Sequence, residues 1–269
     1  MNDTIRFTKM HGLGNDFVVI NSIDQPIDRH RLPVKALADR HTGIGFDQLL
    51  LIAPSSKADF FCHILNADGS EAEQCGNGLR CVARFLHEEG LHSKQTLTLE
   101  TIAGTFPVFI KDYDHIQVTL GIPVIDHALF ELPLSQHHRQ ISLVSTGNPH
   151  AILRVDQLEE RAFVTEGAEI ASHPHFVHGV NVGFMQIMNG SHARLRTLER
   201  GAGETLACGS NACAAAIAGI INGWLQPSPV NIEFRYGSLL IEWEGEGKPV
   251  HMTGPATRVY SGILDNRHQ

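Results

Sequence analysis

The sequence predicts an α+β protein with mostly antiparallel sheet in two domains. Short apolar, often alternating runs recur along the whole chain, and such runs are typical of strands. Helical segments between them are few, so the regular strand-helix alternation of a doubly wound fold is absent. A short motif around a cysteine occurs twice, almost half the chain apart, which favours two related domains over one.

The predicted strands form two sets, one in each half of the chain. In the first half they are Ile5 to Met10, Phe17 to Asn21, Gln48 to Ala53, Phe60 to Leu65, Leu97 to Thr101, Phe106 to Ile110 and Ile116 to Leu120. In the second half they are Ile141 to Ser145, Ala151 to Val155, Val180 to Gln186, Ala193 to Leu198, Val230 to Phe234 and Leu239 to Trp243. Gly121-Ile122-Pro123 interrupts the pattern near the midpoint, so we expect an N-terminal domain over residues 1–121 and a C-terminal domain over 122–255. Residues 256–269 are expected to join the N-terminal domain.

Two segments have the pattern of helices. Leu79 to Glu89 carries an apolar stripe with helical spacing and stops at Gly90. Ala212 to Ile221 is apolar on almost every side and stops at Asn222-Gly223, so it should be buried in the middle of a domain. Each helix follows directly on one copy of the cysteine motif.

Length and composition indicate a globular protein that buries a sizeable core. Of 269 residues, 42% are hydrophobic and 19% charged, which excludes disorder and collagen-like repeats. There is no run of about 18 apolar residues and no signal peptide at Met1-Asn2-Asp3-Thr4, so we expect a cytosolic protein away from membranes. The net charge of −8 and the scattered Lys and Arg argue against a nucleic-acid surface. A small-molecule substrate is the better prediction.

The five cysteines are too sparse for a disulfide framework, and free thiols are expected. Cys62 lies on an apolar strand, and Cys81 and Cys213 lie inside the predicted helices, so these three are interpreted as buried, inert side chains. Neither cysteine pair has the spacing of a structural zinc site, and no glycine-rich stretch matches a nucleotide-binding loop. We therefore expect neither a metal nor a nucleotide cofactor.

The duplicated motif consists of a Glu, a Cys-Gly four residues later, small polar residues and then a helix. Its two copies are Glu71-Ala72-Glu73-Gln74-Cys75-Gly76-Asn77-Gly78 and Glu204-Thr205-Leu206-Ala207-Cys208-Gly209-Ser210-Asn211. A helix start offers unpaired N–H groups and a positive dipole, so it can bind a carboxylate and can lower the pKa of a nearby thiol. We expect the two loops to face a shared cleft, where one thiolate removes the α-proton of a small anion and the other thiol protonates the opposite face.

Several longer motifs run along the chain. In chain order they are Met10-His11-Gly12-Leu13-Gly14-Asn15-Asp16-Phe17, Gly43-Ile44-Gly45-Phe46-Asp47-Gln48, Asn66-Ala67-Asp68-Gly69-Ser70, Cys75-Gly76-Asn77-Gly78-Leu79-Arg80-Cys81, Gly147-Asn148-Pro149-His150, Gly179-Val180-Asn181, and Glu199-Arg200-Gly201-Ala202-Gly203-Glu204-Thr205 followed by Cys208-Gly209. These motifs resemble those of the diaminopimelate epimerase family. The resemblance extends to Gly254-Pro255-Ala256 and so covers nearly the whole chain.

The resemblance implies an epimerase without a cofactor that interconverts LL- and meso-diaminopimelate in bacterial lysine and peptidoglycan precursor synthesis. It also implies two pseudo-symmetric domains, each with a sheet wrapped around a central helix, and a homodimer in which Tyr260 is a contact. On this pattern Cys75 and Cys208 are the acid/base pair, and His150 and Glu199 flank the reacting centre. Substrate contacts are then expected from Asn15, Gln48, Asn66, Gly76, Asn77, Asn148, Asn181, Glu199, Arg200, Gly209 and Ser210.

One position departs from the family pattern. Where the family commonly has Cys-Gly-Thr-Gly-Ala-Cys, this chain has Cys208-Gly209-Ser210-Asn211-Ala212-Cys213. Ser210 keeps the hydroxyl, whereas Asn211 puts a side chain where Gly is usual. We expect Asn211 to be tolerated if its φ is negative or if it adopts the left-handed region.

Two alternatives stay open at the level of sequence. A related two-cysteine proline or hydroxyproline epimerase would use the same chemistry, but its motif has a Cys-Gly-His-type sequence where this chain has Cys75-Gly76-Asn77. A thiol-based redox sensor or binding protein would instead use Cys75 and Cys208 as a regulatory disulfide.

Overall fold

The computed structural model describes residues 4–25, 27–201 and 203–265, and the chain folds as two compact units. Unit 1 contains the chain up to Val118 and the segment from Gly254 onward, and unit 2 runs from Thr119 to Thr253. The boundaries predicted near Gly121 and before Ala256 lie close to these changeovers. Ala202 of the quoted motifs and residues 266–269 of the C-terminal segment lie outside the described residues.

Unit 1 is rich in strands and has one long helix. Its elements are β1 (Thr4–Gly12), β2 (Asn15–Asn21), α1 (Val34–Ala38), β3 (Gln48–Ala53), β4 (Phe60–Asn66), β5 (Glu71–Ala72), α2 (Gly76–Glu88), β6 (Thr96–Thr101), β7 (Gly104–Ile110) and β8 (Ile116–Leu120). The chain passes into unit 2 within β8.

Unit 2 has the same kinds of element in a similar order. They are β9 (Val124–Pro133), β10 (His138–Ser145), β11 (Pro149–Val155), α3 (Glu160–Ala171), β12 (Asn181–Asn189), β13 (His192–Glu199), β14 (Gly203–Thr205), α4 (Gly209–Ile221), β15 (Val230–Phe234), β16 (Gly237–Trp243) and β17 (Val250–Gly254). The chain then returns to unit 1 as β18 (Thr257–Asp265), which pairs antiparallel with β1.

The two units share one topology. In unit 1 the strands pair in the order β18-β1-β2-β3-β4-β6-β7-β8, with β5 added beside β4. In unit 2 the order is β9-β10-β11-β12-β13-β15-β16-β17, with β14 added beside β13. Only β2–β3, β4–β6, β11–β12 and β13–β15 are parallel among these pairs. The predicted two-domain, mostly antiparallel α+β fold is therefore confirmed.

The helices α2 and α4 occupy the same place in the two units and pack against strands of their own unit. Leu79, Val82 and Leu86 on α2 are completely buried, because they form the apolar stripe that the sequence predicts. On α4 the segment Ala212–Ala218 is buried on every side, as its composition predicts. Full burial of one such Leu side chain contributes about 1.5–3 kcal/mol, so each helix anchors its unit.

Both helices begin three residues earlier than predicted. The apolar pattern starts only at Leu79 and Ala212, but the backbone is already helical from Gly76 and Gly209. The small polar residues between carry no apolar periodicity, although they take part in the first turn. Each helix consequently begins immediately after its cysteine.

Several elements were missed by the sequence pattern. The helix α3 packs Phe163 and Ile170 into the unit 2 core, and the edge strands β9 and β18 carry exposed apolar side chains that obscure their alternation. Among the described residues, no helix combines the length and the apolar character needed to cross a bilayer.

Candidate active site

Each of the two motif cysteines is the residue that caps the N-terminus of a buried helix. Cys75 precedes α2 with extended backbone angles, φ −151° and ψ 104°, and Cys208 precedes α4 with φ −124° and ψ 113°. The first N–H groups of a helix lack partners within the helix. Each cysteine therefore lies beside a set of donors suited to a carboxylate.

The topology gathers the predicted contacts of unit 1 around Cys75. The parallel strands β2 and β3 begin at Asn15 and Gln48, and the antiparallel neighbour β4 ends at Asn66, so all three residues lie at one edge of the sheet. We call this set the Cys75 cluster; it comprises Asn15, Gln48, Asn66, Cys75, Gly76 and Asn77.

Hydrogen bonds organise the Cys75 cluster. The Cys75 sulfur accepts the Gly78 N–H at 3.4 Å, and its thiol donates to Asn15 Oδ1 at 3.7 Å. Asn77 Nδ2 donates to the same oxygen at 3.3 Å. In a second pair, Gln48 Nε2 donates to Asn66 Oδ1 at 2.9 Å. Apart from the thiol, the side chains of this cluster are neutral amides.

Unit 2 repeats the arrangement around Cys208. Asn148 immediately precedes β11, β12 begins at Asn181, and β13 ends at Glu199. The register of the parallel pair β11–β12 places His150 opposite Asn181. We call this set the Cys208 cluster; it comprises Asn148, His150, Asn181, Glu199, Arg200, Cys208, Gly209 and Ser210.

Cys208 lies in a buried and more acidic environment than Cys75. Its side chain is 6% exposed, and its sulfur lies 3.3 Å from the Ser210 hydroxyl oxygen. Burial, followed by the charge of Glu199 and a hydrogen bond to its carboxylate, raises the pKa of the Cys208 thiol well above the ordinary value. The Ser210 hydroxyl and the Asn211 N–H lower this pKa, but they are outweighed. The expectation that the helix start lowers the thiol pKa is therefore wrong for Cys208, because desolvation dominates.

Glu199 is held in place by a threonine that the sequence analysis did not single out. Thr205 Oγ1 donates to Glu199 Oε1 at 2.5 Å. Thr205 lies on the short strand β14, which pairs with the end of β13. The sequence feature that could have indicated this role is a threonine three positions before the cysteine. A β-branched residue is equally typical of a strand, so the feature was not specific.

His150 is an uncharged, buried imidazole. It is 1% exposed, and burial lowers its pKa to about 3. His150 Nε2 lies 3.0 Å from Asn148 Oδ1, and since an amide oxygen only accepts hydrogen bonds, we assign the proton to Nε2. Nδ1 then carries a lone pair, and within the described ranges it has no hydrogen-bond partner.

Asn181 and Arg200 are joined through the backbone. The Arg200 N–H donates to Asn181 Oδ1 at 2.8 Å, whereas the Arg200 guanidinium donates to the His178 carbonyl at 2.7 Å. The side chain of Arg200 is exposed.

The two glutamates of the duplicated motif lie in surface ion pairs. Glu71 Oε1 accepts from Arg29 Nη1 at 2.9 Å, and Glu204 accepts from Arg196 through both carboxylate oxygens, each at 2.9 Å. Such exposed pairs typically contribute less than about 1 kcal/mol. The repeated Glu therefore indicates that the two motif copies are structurally equivalent, and it does not indicate a chemical role.

Asn211 fits its position without backbone strain. It is helical, and Leu13 is the one residue other than glycine with a positive φ in the described chain. Its buried side chain donates from Nδ2 to the Val182 carbonyl at 3.2 Å and lies over Gly183 of β12. A Cβ on Gly183 would lie 2.6 Å from Asn211 Oδ1, so the glycine makes the room that Asn211 occupies.

Tyr260 and the remaining cysteines belong to neither cluster. Tyr260 is on the edge strand β18, is 46% exposed, and contacts Phe7 edge to face. All five cysteines are free thiols, as predicted, and Cys62, Cys81 and Cys213 are buried. Nowhere in the described ranges do three or more His, Cys, Asp or Glu side chains meet in a way that could hold a metal ion.

Comparison with known families decides which family these clusters represent. The family described as diaminopimelate epimerase matches residues 7–125 and 142–259, one segment for each repeat. The chain belongs to the diaminopimelate epimerase family. A diaminopimelate epimerase of Azoarcus sp. (strain BH72) is 48% identical over 97% of this chain and 99% of its own length. One from Ectopseudomonas mendocina (strain ymp) is 46% identical over 96% of this chain and 98% of its own length.

Two solved structures with low sequence identity are similar in fold to this member of the diaminopimelate epimerase family. A phenazine biosynthesis protein of the PhzF family from Bacillus anthracis matches with a TM-score of 0.75 at 17% identity, covering 97% of this chain and 99% of that one. A hydroxyproline epimerase from Agrobacterium vitis, with bound trans-4-hydroxy-L-proline, matches with a TM-score of 0.73 at 18% identity, covering 99% and 94%.

Proposed function

We propose that this chain interconverts LL- and meso-2,6-diaminopimelate, in the synthesis of lysine and peptidoglycan precursors, by acid/base chemistry on two cysteines. One observation carries the proposal: a chain of the diaminopimelate epimerase family has a cysteine at the start of a buried helix in each of two repeated units. Cys75 and Cys208 are the proposed acid/base pair. No prosthetic group is needed for this chemistry.

The reaction inverts one α-carbon. A thiolate takes the α-proton, the electron pair of the broken C–H bond remains on carbon, and a thiol delivers a proton to the opposite face. The reaction therefore requires one cysteine in each protonation state, and both must reach the same carbon from opposite sides. The N–H groups at the helix starts stabilise the negative charge that develops toward the α-carboxylate.

The environment of Cys208 supports a resting thiol at this residue. Its raised pKa keeps it protonated at neutral pH, so Cys208 is ready to act as the acid. For the reverse direction Cys208 must lose its proton, and the hydrogen-bonded Glu199 carboxylate is the proposed acceptor. His150, neutral and with a lone pair on Nδ1, is proposed to flank the reacting centre as a hydrogen-bond acceptor.

Recognition of the substrate is proposed to rest on amides and one cation. Diaminopimelate has an amino and a carboxylate group at each end, and Asn and Gln can donate to one and accept from the other. Arg200 can bind a carboxylate, because it is exposed and its guanidinium has further donors beyond its bond to His178. The proposed substrate contacts are Asn15, Gln48, Asn66, Gly76, Asn77, Asn148, Asn181, Glu199, Arg200, Gly209 and Ser210.

A homodimer in the cytoplasm completes the proposal. The edge strand β18 exposes Val259, Tyr260 and Ile263, which are 55%, 46% and 69% accessible. An exposed apolar edge strand is a natural surface for pairing with a second copy, and Tyr260 is the proposed contact.

Turnover in deuterated solvent tests the function directly. LL-diaminopimelate incubated with the protein in D₂O should yield meso product carrying deuterium at the inverted carbon. Cys75→Ala and Cys208→Ala should each reduce turnover by about 10³-fold or more, since each removes one proton carrier. Full activity in either variant would contradict the two-cysteine mechanism.

A proline epimerase is the runner-up, and the same assay separates the two. L-proline and trans-4-hydroxy-L-proline should acquire no deuterium, because Asn77 stands where that class has an imidazole. Racemisation of either amino acid without turnover of diaminopimelate would favour the runner-up.

A further inference from the structure

We infer that Asp47 is a positioning residue that sets the proton affinity of Cys75 by fixing the orientation of the Asn15 side-chain amide. The inference rests on the proposed function only for the role of Cys75 in turnover. Its structural argument concerns three side chains of unit 1.

The Asp47 carboxylate accepts hydrogen bonds on both of its oxygens. Its Oδ2 accepts from Asn15 Nδ2 at 2.9 Å and from the Asp16 N–H at 3.1 Å, and its Oδ1 accepts from Arg40 Nη2 at 2.8 Å. Arg40 also binds both oxygens of Asp16, at 3.0 and 2.7 Å. Lys9 contacts Asp16 as well, and Asp16 Oδ1 accepts the Asp47 N–H at 3.1 Å.

This arrangement leaves the Asn15 amide one orientation. A carboxylate only accepts hydrogen bonds, so the Asn15 nitrogen must face Asp47 and Oδ1 must face the other way. There Oδ1 accepts from the Cys75 thiol at 3.7 Å and from Asn77 Nδ2 at 3.3 Å. The Asp47 carboxylate thereby keeps a hydrogen-bond acceptor, Asn15 Oδ1, beside the Cys75 sulfur.

Two hydrogen bonds of opposite effect consequently meet at Cys75. The Gly78 N–H donates to the sulfur and favours the thiolate, whereas Asn15 Oδ1 accepts from the thiol and favours the protonated form. If the amide were reversed, Asn15 would donate to the sulfur and both bonds would favour the thiolate. Asp47 prevents this reversal.

Several other titratable groups lie near Cys75 in the part of the chain that the structure describes. Cys62 on β4 and Cys81 on α2 interact with it electrostatically, but burial raises their pKa values, that of Cys81 to about 12, so both stay protonated. The charged residues nearest to Cys75 along the chain are Glu73 before it and Arg80 on α2. His11 on β1 and Asp16 on β2 interact with each other and with Lys9.

The test is the pH dependence of Cys75 alkylation by iodoacetamide, without substrate and with the modified peptide identified by mass spectrometry. Asp47→Asn can accept as well as donate, so Asn15 is free to reverse. We expect the alkylation midpoint to fall by about one pH unit, which is up to a tenfold faster reaction below the midpoint. Asn15→Ala removes the acceptor and should lower the midpoint in the same direction.

Asp16→Asn is the matched control. It disturbs the same Arg40 pairing, but the Asp16 side chain does not bond to Asn15, so the midpoint should stay at the wild-type value. Adding Asp47→Asn to Asn15→Ala should cause no further shift. An unchanged midpoint in Asp47→Asn or Asn15→Ala, or an equal shift in Asp16→Asn, would overturn the inference.

The same variants separate this inference from the proposed function. Alkylation needs no turnover, so the midpoint shift can be found even if diaminopimelate is not the substrate. If diaminopimelate is turned over, the acidic limb of kcat/KM for Asp47→Asn should move to lower pH together with the alkylation midpoint, whereas a merely structural defect would lower kcat/KM equally at every pH.

Discussion

The Cys75 and Cys208 clusters are built on the same backbone plan but differ in their charges. The strand that ends beside Cys75 finishes with Asn66, whereas the equivalent strand beside Cys208 finishes with Glu199. At the position that corresponds to Asp47, unit 2 has Val180. The duplicated fold thus gives both thiols a helix start, whereas the side chains at the strand ends differ in charge between the two clusters.

The packing beneath the two helix starts also keeps one backbone plan with different side chains. Gly78 on α2 lies against Leu50 of β3, with the Leu50 methyl carbons 3.2 and 3.3 Å from the place of a Cβ. At the corresponding positions of unit 2, the large residue is Asn211 on the helix and the small one is Gly183 on the strand. A small residue faces a large one in both units, with the sizes exchanged. Asn211 is therefore matched to Gly183 rather than being an isolated irregularity.

The largest expected effect comes from removing the carboxylate beside Cys208. Glu199→Gln should lower kcat by about 10²–10⁴-fold in the direction in which Cys208 acts as the base, because the Cys208 proton loses its proposed acceptor. The variant should also bring the pKa of Cys208 down toward its ordinary value, since the negative charge is gone. Steady-state kinetics against pH would measure both. Glu204→Gln, which alters only an exposed ion pair, should stay near wild type, and wild-type kcat in Glu199→Gln would remove Glu199 from the mechanism.

The buried His150 should make unit 2 sensitive to mild acid. Its pKa is about 3 in the folded chain and about 6.5 when unfolded, so below pH 6.5 the unfolded chain binds a proton that the folded chain does not. The free energy of unfolding should therefore fall by about 2 kcal/mol between pH 7 and pH 5. Urea unfolding followed by tryptophan fluorescence reports on unit 2, which holds both Trp224 and Trp243.

Asp16 gives the contrasting case in unit 1. Its pKa is lowered to about 2, with the Arg40 and Lys9 hydrogen bonds as the causes that act in this direction, so its stabilising contribution is lost only as the pH falls below about 4. His150→Asn should flatten the dependence between pH 7 and pH 5, whereas Asp16→Asn should leave that slope unchanged. Equal slopes in wild type and His150→Asn would contradict the role given to burial.

The smallest effect tests the exchanged packing. Gly183→Ala places a methyl group 2.6 Å from Asn211 Oδ1 and 2.8 Å from Ile152 Cδ1, so unfolding by urea should show a loss of about 1–3 kcal/mol. Adding Asn211→Gly should recover part of that loss. Gly78→Ala in unit 1 places a methyl group 3.2 and 3.3 Å from the Leu50 methyls and 3.5 Å from Cys75 Cβ, so it should cause a smaller loss. No recovery in the double variant would separate Asn211 from Gly183.

Much of the fold follows from the sequence alone. Apolar alternation marks most strands, the stripe on α2 and the uniform apolarity of α4 mark the two central helices, and the duplicated Cys-Gly motif marks the repeat. These features are visible because burial imposes a period on the residues that form each element. The edge strands β9 and β18 and the first helical turns were missed, since exposed or small residues carry no such period.

The sequence by itself determined which residues stand at the helix starts and strand ends of both repeats. Only the tertiary structure decided that Cys208 is buried beside Glu199 and so holds its proton, whereas a helix start alone would favour the thiolate. The structure also decided that Asn211 fits over Gly183 and that Asp47 orients Asn15 toward Cys75. Desolvation, steric fit and hydrogen-bond direction depend on neighbours distant in the chain, so no local pattern in the sequence could reveal them.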